Sequence, residues 1–510
     1  MRIFLRLVTG PIILGFILAL SLNAGAGASA RKPLLPRSPL SGSVLLAREI
    51  HSGAVQFPHP GTLTNDIHPH LSCSPAPCVL PNTQASIGHS GNIVNEDPIA
   101  VDPKNPLNLL SGGNDYNCGS SLAGFYLSTD GGNTWSATCI GSITGFGCGD
   151  PGVGWDLHHT AYITSIDCGL PAIQFEKSTN MGVTWSAPAV AVRPLFSGGF
   201  TDKDWLQVDD GPKSDPYRNS LYISVTQFDS SGNSTISVSH STNGGATWSA
   251  PIQVDSLQLY PSVDQFSDIT TGRNGTVYVT WMRCYANGPA GDCGGTTATL
   301  LMSDSTDGGN TWSTPATIAT VNLAPDACFC AFYGNLPNTS ERVSEIPAIG
   351  VDNSTSIYSG TLYVVMYNWT GSYMEVEVAT STNGGASWSA PVRVTPTSDT
   401  HDQFFPWLTV NHKGVVGVTW LDRRNDPSNI DYEAFSSIST NHGASFQTNQ
   451  QIASVASNPF DDGFGGGFMG DYTGNSWAKR TSTQPATLYA SWMDMRNGSY
   501  SQDWVGGYEK

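Results

Sequence analysis

The sequence predicts an all-β chain folded as a seven-bladed β-propeller, with a six-bladed ring as the alternative. Three observations predict it. A short turn recurs six times, as "STDGGNTWS" at 128–136 and 305–313, "STNMGVTWS" at 178–186, "STNGGATWS" at 241–249, "STNGGASWS" at 381–389 and "STNHGASFQ" at 439–447. Each copy holds the same place in a longer unit of four β-type runs, with a period of ~60 residues. No stretch carries a convincing helical pattern.

The chain opens with Arg2 and Arg6, an apolar run "LVTGPIILGFILALSL" and then "GAGASA". A charged start, an apolar middle and small residues predict an export signal over 1–30, cut near Ala30. A membrane anchor is the alternative, but the run is short and broken by Gly10, Pro11 and Gly15. Residues 31–91 are rich in Pro, Ser and His and read as an arm or linker. His51, His59, His68 and His70 there read as scattered polar residues, not as metal ligands.

Residues 92–510 read as the propeller. Each unit opens with an acid and a short apolar run: "EDPIAVDP", "DPGVGWD", "DKDWLQVDD", "DQFSDITT", "SEIPAIGVD", "DQFFPWLTV" and "FMGDYTGNS". A second run follows, such as "SLYISVTQF" or "GVVGVTWLD", then a third that ends in the repeated turn, then a fourth such as "WSAPIQV". The runs are β-branched and aromatic, bounded by Gly, Asn, Asp and Pro. The last unit, 468–510, stops after its third run. A strand from near 84–95 is expected to supply its missing edge and close the ring.

The net charge of −18 leaves no basic footprint, so nucleic acid and anionic membrane are excluded as partners. All ten cysteines lie from Cys73 onward, which predicts disulfides in an oxidising compartment. Neighbours along the chain suggest Cys73–Cys78, Cys118–Cys139, Cys148–Cys168 and Cys284–Cys293, with connectivity left open. Cys328 and Cys330 read as awkward partners for one another.

The repeated turn reads as structural. Asp or Asn at its third position accepts hydrogen bonds from N–H groups further along. Gly supplies a positive φ, and Trp buries a large ring. The third residue is Asp130 and Asp307 in two copies, but Asn180, Asn243, Asn383 and Asn441 in four. Asn keeps the acceptor and cannot serve as a carboxylate acid, base or nucleophile.

These residues resemble the Asp-box, or BNR repeat, of the sialidase superfamily. The pieces "DKDWLQVD", "PWLTV", "WLDRRND", "GDYTG" and "WMDMRNG" resemble secreted bacterial sialidase-like proteins. The resemblance implies a propeller whose active site lies on the face opposite the turns. Sialidases use three arginines on the substrate carboxylate, a Tyr–Glu nucleophile pair and an Asp acid/base. Their first arginine stands in an Arg-Ile-Pro motif, whereas the first blade here reads "NEDPIAVDP".

Blade topology puts the start of each first strand and the end of each second strand on that opposite face. The acids gathered there are Glu96, Asp97, Asp150, Asp204, Asp264, Glu345, Asp402 and Asp471. Crowded carboxylates separate acid from base roles by mutual repulsion. Asp204, Asp402 and Asp471 are the acid/base candidates, and Tyr472 with Glu345 is a candidate nucleophile pair. Arg283, Arg424, Arg496 and Asp97 are candidates for substrate binding. Asp422–Arg424 and Asp494–Arg496 also fit a purely structural role, tying their own loops. No cofactor is expected; calcium in the acid ring is the one ion considered. The expectation is a secreted, monomeric, sialidase-like exo-glycosidase for terminal sugars, acidic ones included. The alternative is a non-catalytic propeller that binds glycans or proteins.

Overall fold

The computed structural model describes residues 38–54, 77–89, 91–481 and 486–510. The export signal, Cys73, His59, His68 and His70 lie outside them. Seven small antiparallel sheets follow one another along the chain and form a seven-bladed propeller. The inner strands are Ile99–Val101, Gly147–Trp155, Phe200–Val208, Ser262–Thr271, Ala348–Val351, Gln403–Val410 and Gly474–Ala478. Each blade then steps outward through hairpins, which alternating β-branched and aromatic residues favour.

The last blade is completed from the other end of the chain. Cys78–Val79 and Thr83–Gln84 pair with Gln502–Glu509 as its outer edge. The closing strands therefore run up to the start of the stretch expected near 84–95, ending at Gln84. Val94–Asn95 instead joins the first blade, against Asn114 and Asp115. Closure leaves the ring without an open inner edge.

At each repeated turn the Ser hydroxyl donates to the Asp or Asn carbonyl oxygen, at 2.8 Å for Ser128–Asp130 and 2.9 Å for Ser241–Asn243. The same oxygen accepts the N–H four residues on, as Thr134 N to Asp130 (2.9 Å) and Thr247 N to Asn243 (2.9 Å). Gly131 and Gly132 take positive φ, which the tight reversal requires. Asp307, Asn180, Asn383 and Asn441 repeat the pattern. Trp135, Trp185, Trp248, Trp312, Trp388 and Phe446 close over the blade cores. Between blades, Trp281, Trp420 and Trp492 are fully buried.

Three disulfides join Cys118–Cys139, Cys148–Cys168 and Cys284–Cys293, as the neighbour rule suggests. Cys328 and Cys330 are joined to each other, contrary to expectation. Their loop is reversed at Phe329, whose φ is +55°, and Asp326 Oδ1 accepts the N–H groups of Cys330 (2.8 Å) and Ala331 (3.1 Å).

The arm also holds a helix, α1 (Gly42–His51), which the sequence pattern does not announce. Gly42 to Ala47 are buried, and Val44, Leu45 and Leu46 join the main apolar cluster. His51 stacks on Phe146 at 3.9 Å, and Arg48 lies over Phe200 at 4.5 Å. A ten-residue helix is marginal alone, so packing must supply its stability.

Candidate active site at the channel mouth

The inner strands of four blades are irregular at the end where they enter the channel. Their registers shift between Gly149 and Gly152, Asp202 and Trp205, Gln265 and Asp268, and Phe404 and Trp407. Each irregularity holds a residue with positive φ: Asp150 (+53°), Lys203 (+44°), Phe266 (+59°) and Phe405 (+47°). Glu96, just before the first inner strand, has φ +61°. Such conformations are costly for residues with side chains, and bulges of this kind re-aim side chains near functional sites.

The result is a cluster of buried carboxylates. Glu96, Asp150, Asp202, Asp204 and Asp471 are all 0% exposed. Glu96 accepts from Asn114 Nδ2 (2.8 Å) and from the Asp471 N–H (3.1 Å). Asp471 also takes the Ser344 hydroxyl (2.7 Å) and forms an ion pair with Arg342 Nε (2.7 Å). Asp202 accepts from Gln265 Nε2 (2.7 Å). Asp204 Oδ2 accepts from Thr164, while its Oδ1 has no hydrogen-bond partner.

Burial sets the protonation of this group, because it disfavours the charged form. It pushes Asp204 up to about 7. It pushes Asp202 up to about 6, aided by the nearby charge of Asp150. Glu96 is driven well up by burial, then by Asp150 and Asp471. The Tyr472 phenol is likewise raised by burial and by the carboxylates around it. Carboxyls that burial keeps protonated toward neutrality suit proton donation.

An aromatic floor lies beneath. Trp205 tilts against Trp407 with centroids 4.3 Å apart, and meets Tyr472 edge-on at 5.5 Å. Lys203 Nζ sits 3.9 Å from the Tyr472 ring centre and 4.7 Å from that of Trp205. On the far side of this floor a cavity of 610 Å³ runs down the channel between the inner strands, toward Arg273, Lys413 and Lys479. The acids lining it are Asp210 and Asp268, whereas the mouth gathers five carboxyl groups.

The mouth is occupied by α1 and the residues before it. The Ser41 N–H and hydroxyl donate to the two oxygens of Asp202, both at 2.8 Å. The Gly42 N–H donates to Asp471 (2.8 Å), and the Ser43 hydroxyl to Asp150. In return the Pro39 carbonyl accepts from Tyr333 (2.7 Å) and Gln265 (2.9 Å), and the Leu40 carbonyl from Arg342 (3.2 Å). The first N–H groups of a helix lack internal partners and carry its positive end. Here the propeller's carboxylates satisfy them.

Of the residues expected from sequence, Asp204, Asp471 and Tyr472 meet at this mouth. Asp402 and Glu345 join other networks. Asp402 pairs with Arg423 (3.4 Å) and accepts from Met374 N (2.9 Å) and Asn429 (2.6 Å). Glu345 accepts from Tyr367 N (3.2 Å). The expected Tyr472–Glu345 pair does not form, since the Tyr472 hydroxyl donates to the Pro151 carbonyl (3.0 Å). Asp97 is buried beside Asp503 and Asp115, whose charges add to burial in raising it.

The three expected arginines share no partner and are tied down within their own regions. Arg283 holds Asp264 and Asp255. Arg424 holds Asp422 and Asp399 and stacks on Phe435 at 4.4 Å. Arg496 holds Asp494 (2.7 Å) and stacks on Trp504 at 3.7 Å. The expectation that they grip one substrate carboxylate gives way to structural pairs. Sequence reasoning did not pick out Asp202, Gln265, Tyr333 or Arg342. The first two stand next to the positive-φ residues Lys203 and Phe266; the others come from the loop between the fourth and fifth blades, outside the repeat.

No family model and no curated protein matches the chain. Solved structures do. An ulvan lyase, described as a new family of polysaccharide lyase, aligns at 9% identity with a TM-score of 0.51, over 81% of this chain and 93% of that one. The Hadza microbial sialidase Hz136 aligns at 13% identity and 0.43, over 80% and 74%. An α-L-arabinanase of Penicillium chrysogenum aligns at 11% and 0.43, over 70% and 92%. At these identities the likeness is one of fold.

Proposed function

We propose that the protein is an exported, carbohydrate-active propeller, an exo-glycosidase whose chemistry lies at the channel mouth. The observation that carries this is the convergence of Glu96, Asp150, Asp202, Asp204 and Asp471 above the Trp205–Trp407–Tyr472 floor. Asp204, with its proton retained to about 7 and one oxygen unpartnered, is the proton donor to the glycosidic oxygen. Asp471 and Asp202 are the companion carboxyl groups beside it, and the floor supplies a stacking platform for a sugar ring. The sequence signal and the disulfides support export. The likeness in fold to a polysaccharide lyase supports a saccharide as the ligand class.

The test is turnover of a panel of aryl glycosides and polysaccharides, with unsaturated products followed by ultraviolet absorbance so that lyase chemistry is also seen. Asp204→Asn should lower kcat by about 100-fold or more, the usual span of a lost general acid. Cleavage unaffected in that variant refutes the assignment. A second reading, a glycan-binding propeller without turnover, is favoured by the occupation of the mouth by α1. It predicts saccharide binding and no product.

A further inference from the structure

Residues 39–51 fill the site rather than frame it. Seven hydrogen bonds join Pro39 to Ser43 to the mouth, and every one ends on a side chain of the propeller. Their arrangement has two parts. N–H and O–H donors face Asp150, Asp202 and Asp471, which lie on three different blades. Carbonyl oxygens face Tyr333, Gln265 and Arg342. A hydroxyl-rich ring presents the same alternation of donors and acceptors.

The ring does not need this helix for closure, since Cys78–Val79 and Thr83–Gln84 complete the last blade. A purely structural helix would also leave no function for Asp204 Oδ1, which is buried and accepts no hydrogen bond, from the segment or elsewhere. The charge balance then defines what fits. Among the described residues, the propeller cations at these five carboxyl groups are Lys203 and Arg342, while Arg48 of the segment itself faces Asp202. Arg342 is already paired with Asp471, and Lys203 lies on the aromatic floor and donates to the Asp204 carbonyl (3.2 Å). An acidic group entering here gains no unpaired cation.

We infer that residues 39–51 are a tethered, displaceable stand-in for the ligand of this site, and that what replaces them is the end of a neutral or amino-bearing saccharide. The ligand class rests on the carbohydrate reading above; the closure does not. A tethered occupant competes at high effective concentration, so the apparent ligand affinity is the intrinsic affinity multiplied by the open fraction.

The experiment uses the full chain in two opened forms. Ser41→Asp with Ser43→Asp sets carboxylates against Asp202 and Asp150. Gly42→Leu places a side chain where a Cβ would already come within 2.1 Å of the Phe468 ring. Hydrogen exchange should show 42–51 protected in the parent and exposed in the variants, with the blades unchanged. Carbodiimide coupling with glycine ethyl ester, read by mass spectrometry, should label Asp150, Asp202 and Asp471 only in the variants. In calorimetry, glucosamine and N-acetylglucosamine oligomers should bind the variants at least tenfold more tightly than the parent, and oligogalacturonate and sialyllactose no more tightly.

Labelling of the parent, or a helix that stays protected in both variants, overturns the closure. Opened variants that bind the neutral and amino oligomers no better than the parent overturn the stand-in. Preferential gain for the acidic oligomers overturns the ligand class. A mouth that labels when opened yet takes no saccharide of any kind refutes the carbohydrate reading and leaves the closure standing.

Discussion

Replacing Asp204 with Asn should change how stability depends on pH more than it changes stability itself. The carboxyl is fully buried and holds its proton to about 7, against an ordinary value of 3.8. Its folded pKa is raised, so between roughly pH 4 and 7 the folded chain keeps a proton that the unfolded chain releases. Its contribution is therefore full below pH 4 and is lost as pH rises to 7. Three units at 1.36 kcal/mol each set a ceiling of about 4 kcal/mol. Relaxation around the charge lowers this, and about 1–3 kcal/mol is expected. Asn keeps an oxygen for the Thr164 hydroxyl and places an unpartnered amide at Oδ1. That substitution adds a cost which does not vary with pH, so the slope isolates the titration. The assay is denaturant unfolding at half-unit steps from pH 4 to 8, parent against variant. The parent should lose stability more steeply by the stated amount. Parallel curves, within about 0.5 kcal/mol, would refute the argument that burial holds this proton.

Three further outcomes follow from the same geometry. Lys203→Met removes the positive charge that holds Asp204 down, so the Asp204 midpoint should move upward, as read by the pH profile of carbodiimide labelling in an opened variant. Asp307→Asn should leave thermal stability within about 0.5 kcal/mol, because four sister turns already use Asn, whereas Asp307→Ala loses the bonds from Ser305, Asn310 and Thr311 and should cost about 1 kcal/mol or more in calorimetry. Leu80→Ala empties a 2% exposed site beside the closing strand and should destabilise by about 2–5 kcal/mol, measured as a fall in Tm.

The repeated turns were legible because their bonds are local: Ser, Asp or Asn, Gly and Trp within nine positions build the whole motif. The blade count followed from the seven opening runs. The site was legible only in part. Strand alternation puts Asp202 and Asp204 on one face, and the positive φ at Lys203 breaks the regular strand there, so each acid finds its own partner. Nothing in "DKDW" announces that left-handed residue. Arg342 and Tyr333 come from the long connection 323–347 between the fourth and fifth blades, outside the repeated pattern. Asp402, which opens its strand just as Asp202 does, is claimed by Arg423 and Asn429 from its own blade. α1 escaped notice because its stability is borrowed from the mouth: its capping partners are acids 100 to 430 positions away, including Asp202 at a separation of 161 and Asp471 at 429.

The ring is closed by pairings between distant parts of the chain. Gln84 and Gln502, 418 positions apart, meet side chain to side chain in the last blade. Residues 502–509 take a partner strand on each side, from 487–494 and from 78–84. Six blades and most of the seventh can therefore form while the earliest strands still wait, and those strands are made first and used last. Long-range pairings of this kind fold slowly, and until they form the outer edge of 502–509 stays available to other chains. A ring not yet closed would present that edge, and pairing with 78–84 is what removes it.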